Sequence, residues 1–116
     1  MDRAEIGKSA EQIACQFLEQ QGLTVLLRNY RRRSGELDIV ARHEEILVIA
    51  EVRTRSSDEF GGAAASIDSW KQHKIIRAAT QLLQQRKELA KLRVRFDVLV
   101  VRGSEVEWIR HAFAAT

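Results

Sequence analysis

The segment from Ile46 to Arg53 limits the folds open to this chain most, because it is apolar on both faces for most of its length. A strand sends successive side chains to opposite sides of its sheet, so both sides of this strand need apolar cover. The segment therefore predicts a strand in the centre of a sheet that is flanked by helices.

Hydrophobic periodicity predicts further elements around this strand. The predicted order is a helix over 5–21, strands over 23–30, 36–42 and 46–53, a helix over 68–89, and strands over 94–102 and 105–109. The first three strands can form an antiparallel meander, and the second helix lets the fourth strand cross over to lie parallel to a neighbour. We expect an α/β fold with a mixed sheet, formed by one domain over all 116 residues.

The segments between these elements have residues typical of turns and caps. Gly22 should end the first helix, and Asp68 or Ser69 should cap the second. Residues 31–35 predict a basic turn. Residues 54–67 are rich in Ser and Gly and show little periodicity, which predicts a long, mobile loop.

The charge of the chain favours a phosphate-bearing partner through its arrangement more than through its sum, which is only +3. The middle third of the chain is rich in arginine, whose guanidinium group binds phosphate in a bidentate manner. These residues are Arg28, Arg31, Arg32, Arg33, Arg42, Arg53 and Arg55.

Two features bear on the cellular location. The one cysteine, Cys15, lies in the apolar pattern of the first helix and is expected to be a core residue, with no internal disulfide. No run of about 18 apolar residues and no signal-peptide profile is present, so we expect no membrane span and a cytoplasmic location.

Two carboxylates interrupt apolar strands that a short turn joins. Asp38 breaks the second strand, where Leu37, Ile39 and Ala41 should point to one side and Glu36, Asp38 and Val40 to the other. Glu51 ends the central strand, where an isolated carboxylate is expensive to bury. A shared divalent cation such as Mg²⁺ would relieve both acids, since it takes one or two carboxylates, water and phosphate oxygens. The alternative is a pair of salt bridges, Asp38 to Arg53 and Glu51 to Arg31.

The motif around these acids resembles a known family. The segments that carry the resemblance are Gly35–Ala41, Glu51–Arg55, Phe60–Gly61, Arg95–Val98 and His111–Phe113. Together they resemble the YraN-like (UPF0102) family of small bacterial proteins. That family is similar to the restriction-endonuclease-like superfamily and its archaeal Holliday-junction resolvases, which implies a core of helix, three strands, helix and strand.

The resemblance implies roles for single residues. Asp38 and Glu51 would be the two acids that bind Mg²⁺ or Mn²⁺, and Glu11 would be the helix glutamate that resolvase-like members add. The backbone carbonyl of Val52 would be a further ligand. Arg53 stands where the superfamily carries its catalytic lysine, and an arginine cannot act as a base, although it can hold the attacked phosphate.

Lys71 is a candidate for the missing lysine, because it falls on the helical line of Ile75 and Leu82 and should point towards the sheet. The alternatives are that Lys71 reaches solvent or neutralises Glu51. Trp70, its neighbour, is expected to pack, with stacking on a base as the alternative.

The remaining expectations concern partners. Arg31, Arg32, Arg33 and Arg55 would contact nucleic-acid phosphates, and Glu36 is expected to pair with an arginine. Trp108 is expected in the core or in a homodimer contact along the edge strand. The expected function is binding of nucleic acid, above all DNA, with metal-dependent cleavage of branched or structured DNA. A binder that has lost cleavage and a structural domain with salt-bridged acids are the alternatives.

Overall fold

Five strands form one sheet and lie in it in the order in which they occur in the chain. The structure is a computed structural model and describes residues 3–55 and 67–115. Its elements are helix α1 (Arg3–Gln20), strands β1 (Thr24–Arg32), β2 (Gly35–His43) and β3 (Ile46–Thr54), helix α2 (Ser69–Gln85), and strands β4 (Arg93–Arg102) and β5 (Glu105–Phe113). This is the expected mixed α/β fold, a sheet flanked by two helices, and it is compatible with a restriction-endonuclease-like fold.

Strand β3 lies at the centre of the sheet, as its apolar composition predicted. It pairs antiparallel with β2 and parallel with β4, from Ile46 opposite Arg93 to Thr54 opposite Val101. The parallel pairing requires the crossover that α2 supplies. Leu47, Val48 and Ile49 are buried, so both faces of β3 are covered.

Each helix covers one face of the sheet. Helix α1 packs Ala14, Cys15 and Leu18 on residues that include Ile39 and Val48. Helix α2 covers the opposite face with a set of buried apolar residues, Ile75, Ala78, Ala79 and Leu82, which pack on Val40, Leu47 and Ile49. A fully buried aliphatic side chain contributes about 1.5–3 kcal/mol relative to an exposed one, so these two layers hold the strands in place. Cys15 is a core residue, as expected.

The helix caps follow the sequence prediction at two of three ends. Gly22 has a φ of +92° just after α1. The Asp68 carboxylate accepts the backbone N–H of Lys71 at 2.8 Å and caps α2. The end of α2 differs, because the helix ends at Gln85 and not at residue 89. Apolar spacing alone suggested the longer helix, but Leu89 is buried from a turn that follows the helix.

The basic segment before β2 belongs largely to a strand, so its prediction as a turn over 31–35 was wrong. Arg31 and Arg32 lie in β1 and pair with Glu36 and Gly35. The ladder continues to the hairpin because two residues are enough to connect antiparallel strands. The edge strand β5 is also longer than predicted and reaches Phe113.

The side-chain alternation of β2 breaks at Asp38. Leu37 packs with Val40 on the α2 face, whereas Ile39 packs on the α1 face, so Leu37 and Ile39 do not share a side as predicted. The described pairing of β2 with β3 reaches Ile39 opposite Ala50, and the Val52 N–H then bonds to the Asp38 side chain. A side chain thus replaces the ladder acceptor, and the regular alternation is lost.

Two further predictions can be compared with the described residues only in part. The mobile loop predicted over 54–67 lies mostly outside the described residues. Neither helix in the described ranges is long and apolar enough to cross a membrane.

Gly35 lies so close to the α2 backbone that its lack of a side chain gives a stability prediction. A Cβ at this position would lie 2.5 Å from the backbone oxygen of Lys74. We expect Gly35→Ala to lower the free energy of unfolding by about 2 kcal/mol through overpacking, measured by urea denaturation. Gly103→Ala is the matched control, because Gly103 also has a positive φ but nothing within 4 Å of its Cβ position. A loss no larger than that of the control would contradict the packing explanation.

Candidate metal centre and nucleic-acid interface

Asp38 lies where the β2–β3 ladder opens. Its Oδ2 accepts the backbone N–H of Val52 at 2.9 Å. Burial raises the pKa of the Asp38 carboxyl, and the Val52 N–H and the charge of Lys71 oppose that rise. The carboxylate is thus taken out of water with a single described hydrogen bond to backbone.

Glu51 lies on the central strand and is 5 % exposed. Its Oε1 is 2.8 Å from the ammonium nitrogen Nζ of Lys71 on α2. Burial first, and then the charge of Asp38, raise the pKa of Glu51 to about 7, although Lys71 opposes both. Because the pKa stays this high even beside a lysine, burial and the Asp38 charge strongly disfavour the ionised form of Glu51.

Asp38 and Glu51 therefore form an acid pair, a name kept below for these two carboxyls. Both carboxyls are buried, and the hydrogen bond between them raises the pKa of Glu51 and lowers that of Asp38. Lys71 offsets only part of the cost of ionising Glu51. The alternative salt bridge from Glu51 to Arg31 was wrong, because Glu51 pairs with Lys71 and Arg31 pairs with Glu36 at 3.5 Å. The expected pairing of Glu36 with an arginine is confirmed.

Glu11 of α1 approaches the acid pair from the other face of the sheet. Burial and the charge of Asp38 raise its pKa, while Arg28 and Asn29 lower it. When the Asn29 amide is assigned with its nitrogen towards Glu11, it donates to both Glu11 carboxylate oxygens, at 2.9 and 3.3 Å. Sequence reasoning missed this role of Asn29, whose φ of +53° is a conformation that asparagine tolerates better than most residues.

The donor set fits a divalent cation held by two carboxylates. Within residues 3–55 and 67–115, no group of three or more His, Cys, Asp or Glu side chains lies close enough together to enclose an ion. Mg²⁺ needs only one or two carboxylates, which the acid pair can supply, and water and phosphate oxygens complete its ligands. The ligand roles predicted for Glu11 and for the Val52 carbonyl stay predictions.

The positions of the predicted cations differ. Lys71 points towards the sheet, as predicted, and it contacts Glu51. Arg53 is half-buried on β3, two residues beyond Glu51. Arg55 lies away from the β1–β2 hairpin, with its Nη1 3.8 Å from Glu107 Oε2 on β5.

A groove of about 610 Å³ lies between the β1–β2 hairpin and the start of α2. We call it the basic groove, because five cationic side chains line it beside only two carboxylates, Glu36 and Asp68. The cationic residues are Arg31, Arg32, Arg33, Lys71 and Lys74, and Trp70 lies among them. The structure thus brings together three of the four arginines predicted to bind nucleic acid. Lys71 lines the groove and also bonds to Glu51, so this lysine connects the groove to the acid pair. Trp70 is 71 % exposed, so the expectation that it packs was wrong.

Asp97 on β4 is a third buried acid, and it provides an internal comparison. It is 0 % exposed and accepts two hydrogen bonds from Arg95, at 2.9 and 2.8 Å. The Trp108 Nε1 and the backbone N–H of His111 donate to it at 2.8 and 3.0 Å. Asp97 is therefore a structural acid that joins β4 to β5, unlike the acid pair.

Trp108 is partly buried and packs against the core, which is close to one of its two predicted roles. Its ring packs edge-on against Phe17 with the ring centroids 5.9 Å apart. The dimer contact predicted for the edge strand stays a prediction.

Comparison with known sequences gives a consistent result. The sequence model of a family described as "Uncharacterised protein family UPF0102" matches residues 10–101. The chain is 48 % identical over 110 residues to UPF0102 protein NE0719 of Nitrosomonas europaea, covering 92 % of each chain. It is 46 % identical to a UPF0102 protein of Saccharophagus degradans, covering 94 % of this chain and 92 % of that protein. A UPF0102 protein of Hahella chejuensis is 47 % identical, with coverages of 95 % and 90 %.

The raised pKa of Glu51 predicts a pH-dependent stability. In the folded protein the pKa of Glu51 is about 7, whereas the ordinary pKa of a glutamate in an unfolded chain is 4.5. This contribution to stability is present below pH 4.5 and is lost as the pH rises through 7. In EDTA, Glu51→Gln should therefore gain about 3 kcal/mol relative to wild type between pH 5 and 8, measured by urea denaturation. A difference between the two proteins that is constant over this range would contradict the assignment.

Proposed function

The chain belongs to the UPF0102 family, and we propose that it is a nucleic-acid-binding protein of endonuclease fold that cleaves phosphodiester bonds in branched or structured DNA with Mg²⁺ or Mn²⁺. The observation that carries this proposal is the acid pair, which Lys71 connects to the basic groove. Two carboxyls buried side by side favour a cation, since burial and the charge of Asp38 raise the pKa of Glu51 to about 7. A groove lined with arginine and lysine favours phosphate.

Asp38 and Glu51 would hold the ion in this proposal, with the Val52 carbonyl and Glu11 as further ligands. When bound, a divalent ion lowers the pKa of a coordinated water and offsets the charge of the attacked phosphate. The Val52 N–H keeps the Asp38 carboxylate oriented at 2.9 Å, so this ligand is fixed before an ion arrives.

The cations beside the acid pair would act on the phosphate. Arg53 remains charged and would hold the scissile phosphate and stabilise its transition state. Lys71 keeps its ammonium 2.8 Å from Glu51, and it is 41 % exposed towards the groove. Lys71 would orient water or transfer a proton, a role that Arg53 cannot fill.

The wider interface would position the substrate. Arg31, Arg32 and Arg33 would bind backbone phosphates along the basic groove, and Arg55 would contact DNA at a separate place on the surface. A cytoplasmic location and a homodimer that matches a two-fold junction belong to the same proposal.

Binding without cleavage is the second candidate. Two observations favour it, since Arg53 occupies the position of the expected lysine and Lys71 is paired with Glu51. Both candidates predict DNA affinity that falls steeply with salt concentration. A structural domain with salt-bridged acids predicts no DNA binding even at low salt.

A cleavage assay separates the candidates. Junction, flap and single-stranded substrates are incubated with Mn²⁺ and wild type, Asp38→Asn, Lys71→Ala or Arg53→Lys. We expect cleavage by wild type and a loss of cleavage activity of about 100-fold or more in Asp38→Asn, since removing a metal ligand should cost at least as much as removing a residue that orients one. Glu105→Gln is the matched control, because it removes an exposed carboxyl from β5 and should keep full activity.

Three outcomes would change the assignments. Cleavage that persists in Asp38→Asn would contradict the role of the acid pair. Activity that appears only in Arg53→Lys would show that the natural protein binds DNA without cutting it. Full activity in Lys71→Ala would remove Lys71 from the chemistry.

A further inference from the structure

Trp70 is the large apolar side chain that the described part of the chain leaves exposed, at 71 %. It lies in the first turn of α2, where the Asp68 cap fixes the backbone. A tryptophan in this position exposes a large apolar area to water, so a ligand that covers the indole gains affinity. The exposed ring therefore needs an explanation that packing among the described residues does not give.

The surroundings of the ring favour an anionic ligand. The Lys74 ammonium lies 5.7 Å from the Trp70 ring centroid, within the range of a cation–π contact. On the other side of the basic groove, the Arg32 guanidinium lies 4.3 Å from the Tyr30 ring centroid, and Arg31 and Arg33 lie beside it. The groove thus combines one exposed aromatic surface with several positive charges.

This combination is the one that binds single-stranded nucleic acid. Bases stack on aromatic side chains while the positive groove follows the phosphate backbone. A base inside a duplex has both faces covered by its neighbours, so a ring such as Trp70 can stack only on an unpaired or extruded base. The ligand must therefore offer an unpaired base next to its phosphates.

We propose that Trp70 stacks on an unpaired DNA base in the basic groove and so selects substrates with a single-stranded segment. This inference rests on the proposed nucleic-acid-binding function and adds the substrate class. Lys71, the next residue, bonds to Glu51 and lines the same groove, so a nucleotide held by Trp70 lies at the entrance to the acid pair.

The test is a binding experiment in EDTA at low salt, so that cleavage plays no part. A labelled oligothymidylate of about 12 nucleotides and a blunt duplex of the same length are titrated with each protein. We expect Trp70→Ala to weaken binding of the oligothymidylate by about ten-fold or more, with binding of the duplex changed by less than about two-fold. Trp70→Phe should retain most of the affinity, because a phenyl ring still stacks.

Gln84→Ala is the matched control, since Gln84 is an exposed residue of the same helix outside the basic groove. Equal binding by wild type and Trp70→Ala would overturn the inference while leaving the proposed function in place. A loss shared by Trp70→Phe, or an equal loss for the duplex, would also overturn it. Wild type that binds neither oligonucleotide would contradict the proposed function itself. Selective loss in a protein that never cleaves would support stacking and the non-catalytic candidate together.

Discussion

The burial of Asp38 and Glu51 beside each other is the constraint on which the rest of the structure depends. Glu51 lies on the central strand and Asp38 on the neighbouring strand β2, where apolar residues from two helices exclude water. The Val52 N–H and the Lys71 ammonium each bond to one of them, at 2.9 and 2.8 Å. The β2–β3 ladder opens here, and Lys71 of α2 points towards the sheet at the same place. The regular strand pairing is therefore interrupted where the two carboxyls are buried.

Asp97 is a buried carboxylate that the same fold surrounds with hydrogen-bond donors. It accepts four hydrogen bonds from Arg95, Trp108 and His111. The sequence signal is alike in the three acids, since each interrupts an apolar strand. Their surroundings differ, because Arg95 donates two hydrogen bonds to Asp97, whereas burial and the charge of Asp38 raise the pKa of Glu51 to about 7. That difference distinguishes an acid that joins two strands from the acids that we propose bind a cation.

Much of the fold was predictable because it depends on local pattern. The apolar run of β3, the spacing of α1 and the Asp68 cap are encoded within single segments, and the structure confirms them. The direction of Lys71 was predictable for the same reason. The misses depend on contacts between segments. The alternation of β2 breaks because an Asp38 side chain bonds to β3, and α2 ends early because Leu89 is buried from a turn.

The site was predictable in its residues and less so in its arrangement. Spacing found Asp38 and Glu51, but the partner of Glu51 depends on how α2 lies on the sheet. Trp70 was expected to pack because of its size, yet its position at the start of α2 leaves it exposed beside the basic groove. No local pattern distinguishes a tryptophan that packs from one that faces a ligand, since both sit on amphipathic helices.

The most direct test of this account is a calorimetric titration of the apo-protein with Mn²⁺ at pH 8, where the Glu51 carboxyl, with its pKa of about 7, has lost its proton. We predict saturable binding by wild type that is lost in both Asp38→Asn and Glu51→Gln and kept in Glu105→Gln. Equal Mn²⁺ binding by wild type and Glu51→Gln, or no binding by wild type, would contradict the claim that the acid pair is a metal site.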